Sequence, residues 1–114
     1  MNDHEKKRTR EEFSDAVNMT AGELRDWLAS GESKSVGDTT GKRAESTGHT
    51  SGRHIVTVLR TNRRDLTDKQ YNHMRKVIGY VHRHLAQRPD GDITDSRWRY
   101  SLMNWDQDPC KEQP

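Results

Sequence analysis

The sequence predicts an all-α protein: a small bundle of four to five helices with a long Gly/Ser/Thr-rich loop. Apolar residues recur at helical spacing in successive segments, and two capping boxes mark where helices begin. The chain has 114 residues, enough for one domain, but 28% hydrophobic and 33% charged residues leave only a thin core. We expect one helical domain at 13–105, with a disordered charged segment before it, 1–12, and a disordered tail after it, 106–114.

Two short helices are predicted before residue 31. The first has apolar residues at helical spacing from Phe13 onward. The second begins at a capping box formed by Thr20 and Glu23, and Gly31 is its expected end. Glycine, serine and threonine dominate residues 31–52, so this stretch is predicted to be a flexible loop.

The next segment, RHIVTVLRTNRR, spans residues 53–64. Its apolar residues cluster on one side of a helical wheel, while the β-branched run from Ile55 to Val58 is also compatible with a strand. Helix is the favoured interpretation because the element that follows is helical and no partner strand is visible in the sequence. The strand stays open as an alternative.

The strongest helical pattern lies between Thr67 and Pro89. Thr67 and Gln70 form the second capping box, and the proline ends the helix. One apolar stripe runs along it at spacings of three and four: Tyr71, Met74, Ile78, Val81 and Leu85. A final helix is predicted within DITDSRWRYSLMNW, residues 92–105.

Charge is distributed unevenly around the overall net charge of +2. Residues 42–88 hold 11 Lys or Arg against three acidic residues, a net charge of +8, so the rest of the chain carries −6. Lys69, Lys76 and Arg83 are seven residues apart and form one row opposite the apolar stripe, with no acid before Arg88. Repulsion between like charges in such a row lowers helix stability, and binding of an anionic partner would offset this cost. Nucleic acid is the commonest anionic partner of this kind.

We therefore predict a non-enzymatic, cytoplasmic DNA-binding protein that contacts the phosphate backbone of double-stranded DNA through a basic helical surface. The residues expected to contact phosphates are Arg53, Arg60, Arg63, Arg64, Lys69, Lys76 and Arg83. The connection at residues 62–67 is compatible with a helix-turn-helix. The alternative is a protein-interaction or stress-associated structural module, with Trp98, Tyr100 and Trp105 as exposed anchors.

Neither a metal nor another cofactor is expected. A helix directs His73 and His82 to opposite sides, and His73 and His84, which share a face, lie about 16 Å apart along its axis. The stretch GDTTGKR, residues 37–43, departs from a P-loop in its glycine spacing and in the residue after its lysine.

An enzyme is also not expected. His49 and Ser51 lie in a polar stretch without the geometry of a catalytic triad, and an enzyme that uses residues 31–52 as a lid is a third, weaker alternative. The single cysteine, Cys110, excludes an intrachain disulfide and favours a reducing compartment. No apolar run is long enough for a membrane span, and the first residues contain no apolar signal-peptide core.

Four strings in the chain are distinctive: SVG, ESTGHTSGRHIVTVLR, HMRKVIGYVHRHLAQRPDGD and RWRYSLMNWDQDP. Together they resemble the small microbial family called domain of unknown function 3140, over about residues 13–109. Members of that family are often labelled DNA-binding proteins, so the resemblance implies a nucleic-acid partner. It implies no catalytic motif and no ligand, and it assigns a role to no residue.

Overall fold

The computed structural model describes residues 1–36 and 47–111. Within these ranges the chain is all-helical, as predicted, with six α-helices, one 3₁₀ turn and no strand. The helices are α1 (Asp3–Ala16), α2 (Ala21–Leu28), α3 (Gly31–Ser35), α4 (Thr47–Leu59), α5 (Asp68–Leu85) and α6 (Arg97–Met103). The 3₁₀ turn, Arg63–Asp65, lies between α4 and α5.

Helix α1 differs from the prediction that residues 1–12 are disordered, because it occupies most of that segment. Asn2 caps its first turn, Thr9 is buried, and the guanidinium of Arg10 donates a hydrogen bond of 2.7 Å to the Tyr71 hydroxyl on α5. Composition misled the prediction here, because the cap and these long-range contacts stabilise a helix that is almost entirely polar.

The predicted loop at 31–52 is also partly helical. Its first five residues form α3, which Ser30 caps, and Val36 is buried directly after that helix. At its other end, α4 begins at Thr47. Short polar residues that resemble a loop thus serve as caps and helix starts. Residues 37–46, which include the GDTTGKR stretch, lie outside the described residues.

Helix α4 settles the choice between helix and strand for its segment in favour of helix. Two glycines allow it to approach the end of α6 closely. A Cβ on Gly52 would lie only 2.7 Å from the Asn104 carbonyl oxygen and from Leu28 Cδ2, and a Cβ on Gly48 would lie 3.2 Å from Trp105 Nε1. Small residues at these positions therefore fix how closely α4 docks.

Helix α5 begins at the predicted capping box of Thr67 and Gln70, in which both reciprocal hydrogen bonds form. Four residues of the predicted apolar stripe are buried: Tyr71, Met74, Ile78 and Val81. Leu85, the fifth, is 38% exposed because it lies in the last turn of the helix, beyond most of its packing partners.

The predicted disordered tail is, in its first part, a packed segment. Asp106 and Gln107 are buried, and the Gln107 side chain donates a hydrogen bond of 2.9 Å to the carbonyl oxygen of Ala16 at the end of α1. Asp108 forms a bidentate ion pair with Arg99 at 3.0 and 3.1 Å. Polar composition suggested a loose end, but these amides and carboxylates connect the two ends of the domain.

Two helix pairs build the core: α1 packs along α5, and α2 packs along α4. Apolar side chains from both pairs, including Leu24, Ile55 and Val77, are completely buried between them. On one side the pairs are separated by a groove between α4 and α5. Among the described residues, none of the helices combines the length and the apolar character of a membrane span.

Candidate nucleic-acid interface

The groove between α4 and α5 consists of two adjoining concavities that share Lys76. The first has a volume of about 440 Å³ and includes His54 from α4 with Lys69 and His73 from α5. The second, of about 270 Å³, lies nearer α6 and includes Arg83. We call this continuous depression the α4–α5 groove.

Three of the residues predicted to contact phosphates line this groove: Lys69, Lys76 and Arg83. All three are exposed, and among the described residues none of them forms a salt bridge. The guanidinium of Arg83 folds back along α5, since a Cβ on Gly79 would lie 3.1 Å from its Nη1. The seven-residue spacing therefore places the row as the sequence predicts.

The other four predicted residues lie elsewhere. Arg63 and Arg64 border a separate depression with Lys6 and Arg10 of α1, where Asp3 also lies. All of these residues are exposed or partly exposed. Because Asp3 and Asp68 lie beside them, the cluster contains both charges.

Arg53 and Arg60 do not continue the row of the α4–α5 groove either. Arg53 lines a third depression, with Arg25 and Lys34. Arg60 is exposed just after the last residue of α4. One helix over residues 53–64, the interpretation that the sequence favours, would place Arg53, Arg60 and Arg64 on one side, whereas α4 ends at Leu59. The structure thus gathers the lysine–arginine row of α5 but distributes the remaining arginines over other faces.

A column of stacked rings begins at the groove and continues beyond it. Its order is His73, Trp105, Tyr80, His84 and Trp98, and the first three of these residues line the groove. The closest pair is Tyr80 and Trp105, with ring centroids 4.1 Å apart and planes 13° from parallel. Arg88 lies over the far face of Trp98 at 5.7 Å. In the sequence, the spacings of seven and four residues between His73, Tyr80 and His84 indicate that these three rings share a face of α5. No sequence pattern indicates that the two tryptophans stack with them.

His73 is the first histidine of this column. Its Nε2 is 2.8 Å from the Ser51 hydroxyl of α4, and its Nδ1 is buried without a hydrogen-bond partner. Burial, followed by the nearby charges of His54 and Lys76, lowers the pKa of His73 to about 4. The imidazole is therefore neutral at pH 7 and contributes packing, not charge, to the groove.

The histidines of α5, whose spacing in the sequence argued against a shared zinc ion, have other contacts. The rings of Trp105 and Tyr80 lie between His73 and His84, and His84 Nε2 is 3.0 Å from the carbonyl oxygen of Trp98. Over residues 1–36 and 47–111, no group of three His, Cys, Asp or Glu side chains is placed to hold a metal ion.

A protein-family model described as "Protein of unknown function (DUF3140)" matches residues 12–103. The chain belongs to this family. The match confirms the resemblance seen in the sequence, and it covers α1 from Glu12 through the whole of α6. No curated protein and no solved structure matches the chain.

In this DUF3140 protein a buried polar hub holds the end of α6 against the rest of the domain. The Oδ1 of Asn104 accepts hydrogen bonds from Trp27 Nε1 at 2.8 Å and from the Ser33 hydroxyl at 2.5 Å. Asn104 thereby connects α2, α3 and α6 while being only 1% exposed. The sequence alone could not indicate this role, because the three partners are distant along the chain.

Asp106, two residues further on, is completely buried, and neither of its carboxyl oxygens has a hydrogen-bond partner among the described residues. Its φ of 69° is the left-handed conformation that most residues avoid. Burial is the main cause that raises the pKa of Asp106 to about 8; Lys111 lowers it by a smaller amount, and Glu23 raises it further. At pH 7 this carboxyl group is mostly protonated.

The three aromatic residues expected to anchor a protein partner, Trp98, Tyr100 and Trp105, make contacts within the DUF3140 fold. Trp105 is 4% exposed, so the prediction that it is an exposed anchor is wrong. Trp98 is half-buried and donates a hydrogen bond of 2.8 Å to the His84 carbonyl oxygen. Tyr100 packs on the ring of Trp27 at 5.4 Å. These rings contribute to packing within the chain.

Proposed function

We propose that this DUF3140 protein is a non-enzymatic nucleic-acid-binding protein that holds DNA by its phosphate backbone along the α4–α5 groove. The observation that carries the proposal is the row of Lys69, Lys76 and Arg83 along one groove, exposed and without a salt bridge in the described chain. A row of cations about two helical turns apart, with no acidic residue between them, favours an anionic partner, because the like charges repel each other until phosphates neutralise them.

The length of the row suits a nucleic-acid strand. Lys69 and Arg83 are 14 residues apart on α5, which corresponds to about 21 Å along the helix axis. One strand of B-form DNA places a phosphate about every 3.4 Å of its axis, so the row spans about six phosphates. Phosphate contacts of this kind give affinity without base recognition, and we propose no sequence preference.

The other predicted residues have a secondary part in this proposal. Arg63 and Arg64 lie beyond the α5 N-terminus, where a longer duplex would reach them, but Asp3 and Asp68 reduce the local positive potential. Arg53 and Arg60 border other faces. We therefore assign the principal phosphate contacts to the three residues of the groove.

The test is a salt titration of fluorescently labelled duplex DNA with the wild-type chain and the triple variant Lys69→Gln, Lys76→Gln, Arg83→Gln. For the wild type we expect affinity to fall steeply with salt. In the triple variant the slope of log K against log salt should decrease by about three, because each lost phosphate contact removes close to one released counterion.

A second triple variant provides the matched control: Lys7→Gln, Arg75→Gln and Arg97→Gln. It removes the same charge from exposed positions that do not line the groove. Its salt slope should stay within about one of the wild-type slope. The proposal fails if the wild type does not bind duplex at about 50 mM salt, or if the two triple variants are indistinguishable.

A further inference from the structure

The α6 end of the α4–α5 groove is a recess whose polar groups are all donors or hydroxyls, apart from Asn104 at its base. Its rim carries Lys76 and Arg83, and the first turn of α4 faces them with Thr47 and Gly48. Among the described residues, no acidic side chain lines it. Such a set of polar groups is complementary to an anion and not to a cation.

The indole N–H of Trp105 points to the same ligand independently. Trp105 is 96% buried and lines the recess, yet its Nε1 donates to no acceptor among the described residues, whereas the N–H groups of Trp27 and Trp98 both do. The N–H group of a largely buried tryptophan usually has a hydrogen-bond partner, and here it opens into the recess, where the oxygen of a ligand or of solvent can accept. Gly48 leaves room for one, because a Cβ there would lie 3.2 Å from this nitrogen.

The first turn of α4 adds to this donor set. The leading N–H groups of an α-helix have no intrahelical acceptor and lie at the positive end of the helix dipole. α4 has 13 residues and no acidic residue in its first turn. The hydroxyls of Thr47 and Ser101 also line the recess. Donors thus surround the recess from α4, α5 and α6.

We propose that this recess is a phosphate-binding pocket that takes a phosphate monoester, bound by the Trp105 indole N–H, Lys76, Arg83 and the first two residues of α4, Thr47 and Gly48. A monoester presents three oxygens on one end of a molecule, which fits a recess of about 270 Å³ closed at its base by Asn104 and Trp105. A terminal phosphate of a nucleic-acid strand and the phosphate of a free nucleotide share this chemistry. Binding of a strand's terminal phosphate rests on the proposed function, whereas the existence of the phosphate pocket does not depend on that function.

The test compares two oligonucleotides that differ only in a 5′-phosphate or a 5′-hydroxyl group, in duplex form and at constant salt. We expect the phosphorylated oligonucleotide to bind about tenfold more tightly, because charge-assisted hydrogen bonds to a dianion are the strong ones. The substitutions Arg83→Gln and, separately, Trp105→Phe should bring this ratio close to one. Lys69→Gln, outside the recess, should weaken both oligonucleotides equally and leave the ratio unchanged.

Inorganic phosphate provides a second measurement that needs no variant. In an ¹⁵N-resolved spectrum the chain shows three indole N–H signals, one for each tryptophan. Added phosphate should shift the Trp105 signal, and the Trp98 signal, from a ring outside the recess, should stay in place. This readout remains valid if Trp105→Phe does not fold.

Competition by adenosine monophosphate separates the two sources. If adenosine monophosphate at matched concentration displaces the 5′-phosphorylated oligonucleotide, the occupant is a free nucleotide. If it does not, and the tenfold affinity ratio between the two oligonucleotides persists, the occupant is a strand end. A ratio of one in the wild type together with an unmoved Trp105 signal overturns the pocket. Duplex binding that depends on Lys69 in that same experiment would still support the proposed function.

Discussion

Asp106 combines a carboxyl group whose burial without a hydrogen-bond partner opposes its charged form with a left-handed backbone conformation. Its carboxyl group is completely buried without a partner, and its φ is 69°. The backbone at this position is used: the Asp106 carbonyl accepts a 2.9 Å hydrogen bond from the Asn18 N–H, and its own N–H donates to the Met103 carbonyl at 3.0 Å. The position is therefore needed for chain geometry, and a neutral side chain would serve it better.

The raised pKa of Asp106 makes stability depend on pH with a defined sign. The folded chain retains the proton up to about pH 8, whereas an unfolded carboxyl releases it near 3.8. Because the folded state binds the additional proton in this window, stability decreases as pH rises through it. The neutral His73, with a pKa of about 4 instead of 6.5, has the opposite effect below pH 6.5. The net decrease should therefore be visible between pH 6.5 and 8.

We predict that Asp106→Asn raises the free energy of unfolding at pH 8 by a few kcal/mol, since one pKa unit corresponds to about 1.4 kcal/mol. The decrease between pH 6.5 and 8 should disappear in this variant. Urea unfolding followed by circular dichroism across that range measures both effects. Asp90→Asn, at an exposed position, is the control and should follow the wild-type profile. An Asp106→Asn profile parallel to the wild type would contradict the assignment.

Among the helices, α4 depends most on glycines, because its close packing leaves no room for a side chain at Gly52. Its Gly52 faces the Asn104 carbonyl and Leu28 at distances that leave no space for a methyl group. Gly22 of α2, by contrast, has nothing within 4 Å of the position that a Cβ would occupy. The two glycines therefore differ in their role although both lie in helices.

We predict that Gly52→Ala lowers the free energy of unfolding by about 2 kcal/mol, because the new methyl group must displace backbone from a packed contact. Gly22→Ala should instead raise it by about 0.5 kcal/mol, since alanine is the better helix former. Chemical denaturation of both variants provides the comparison. Equal effects of the two substitutions would show that α4 does not dock as closely as described.

The sequence predicted the elements best where local signals are strong. The capping boxes at Thr20 and Thr67 and the stripe of α5 appear in the structure as expected. Elements stabilised by distant partners were missed: α1 depends on contacts with α5, and α3 is a single capped turn in a polar stretch. Helical periodicity and capping boxes can be read from neighbouring residues, whereas contacts such as that of Arg10 with Tyr71 connect residues far apart in the chain.

The same limit applies to the candidate site. The spacing of seven residues on α5 was sufficient to predict the row of Lys69, Lys76 and Arg83. The recess at its end could not be predicted, because it also needs Thr47 and Trp105 from other parts of the chain. Helical periodicity gives the direction of a side chain from its own helix, but not the surface that a neighbouring helix places opposite it.

In the whole molecule the two chain ends act as structural parts of the domain. α1 covers α5, and the segment after α6 holds the end of α1 through the hydrogen bonds of Gln107 and Asn18. Among the described residues no acidic side chain lines the α4–α5 groove, and some acidic side chains of the two ends form ion pairs, such as Glu23 with Lys111 and Asp108 with Arg99.

We predict that deletion of residues 1–11 lowers the free energy of unfolding by about 2–3 kcal/mol. The truncated chain loses the hydrogen bond from Arg10 to Tyr71, a charge-assisted bond of about 1.5–3 kcal/mol, and the buried Thr9. A disordered segment would be removed without effect. The measurement is again urea unfolding, and the substitution Arg8→Gln, at an exposed position of α1, should change stability by less than 1 kcal/mol.

The ring column gives the domain an optical reporter of its own tertiary structure. Tyr80 and Trp105 are held nearly parallel at 4.1 Å in a chiral environment, so they should dominate the near-ultraviolet circular dichroism, while the helices dominate the far-ultraviolet signal. Detachment of the segment after α6 would remove the first signal and leave most of the second. Conditions that loosen only this corner can therefore be told apart, spectroscopically and without a label, from conditions that unfold the bundle.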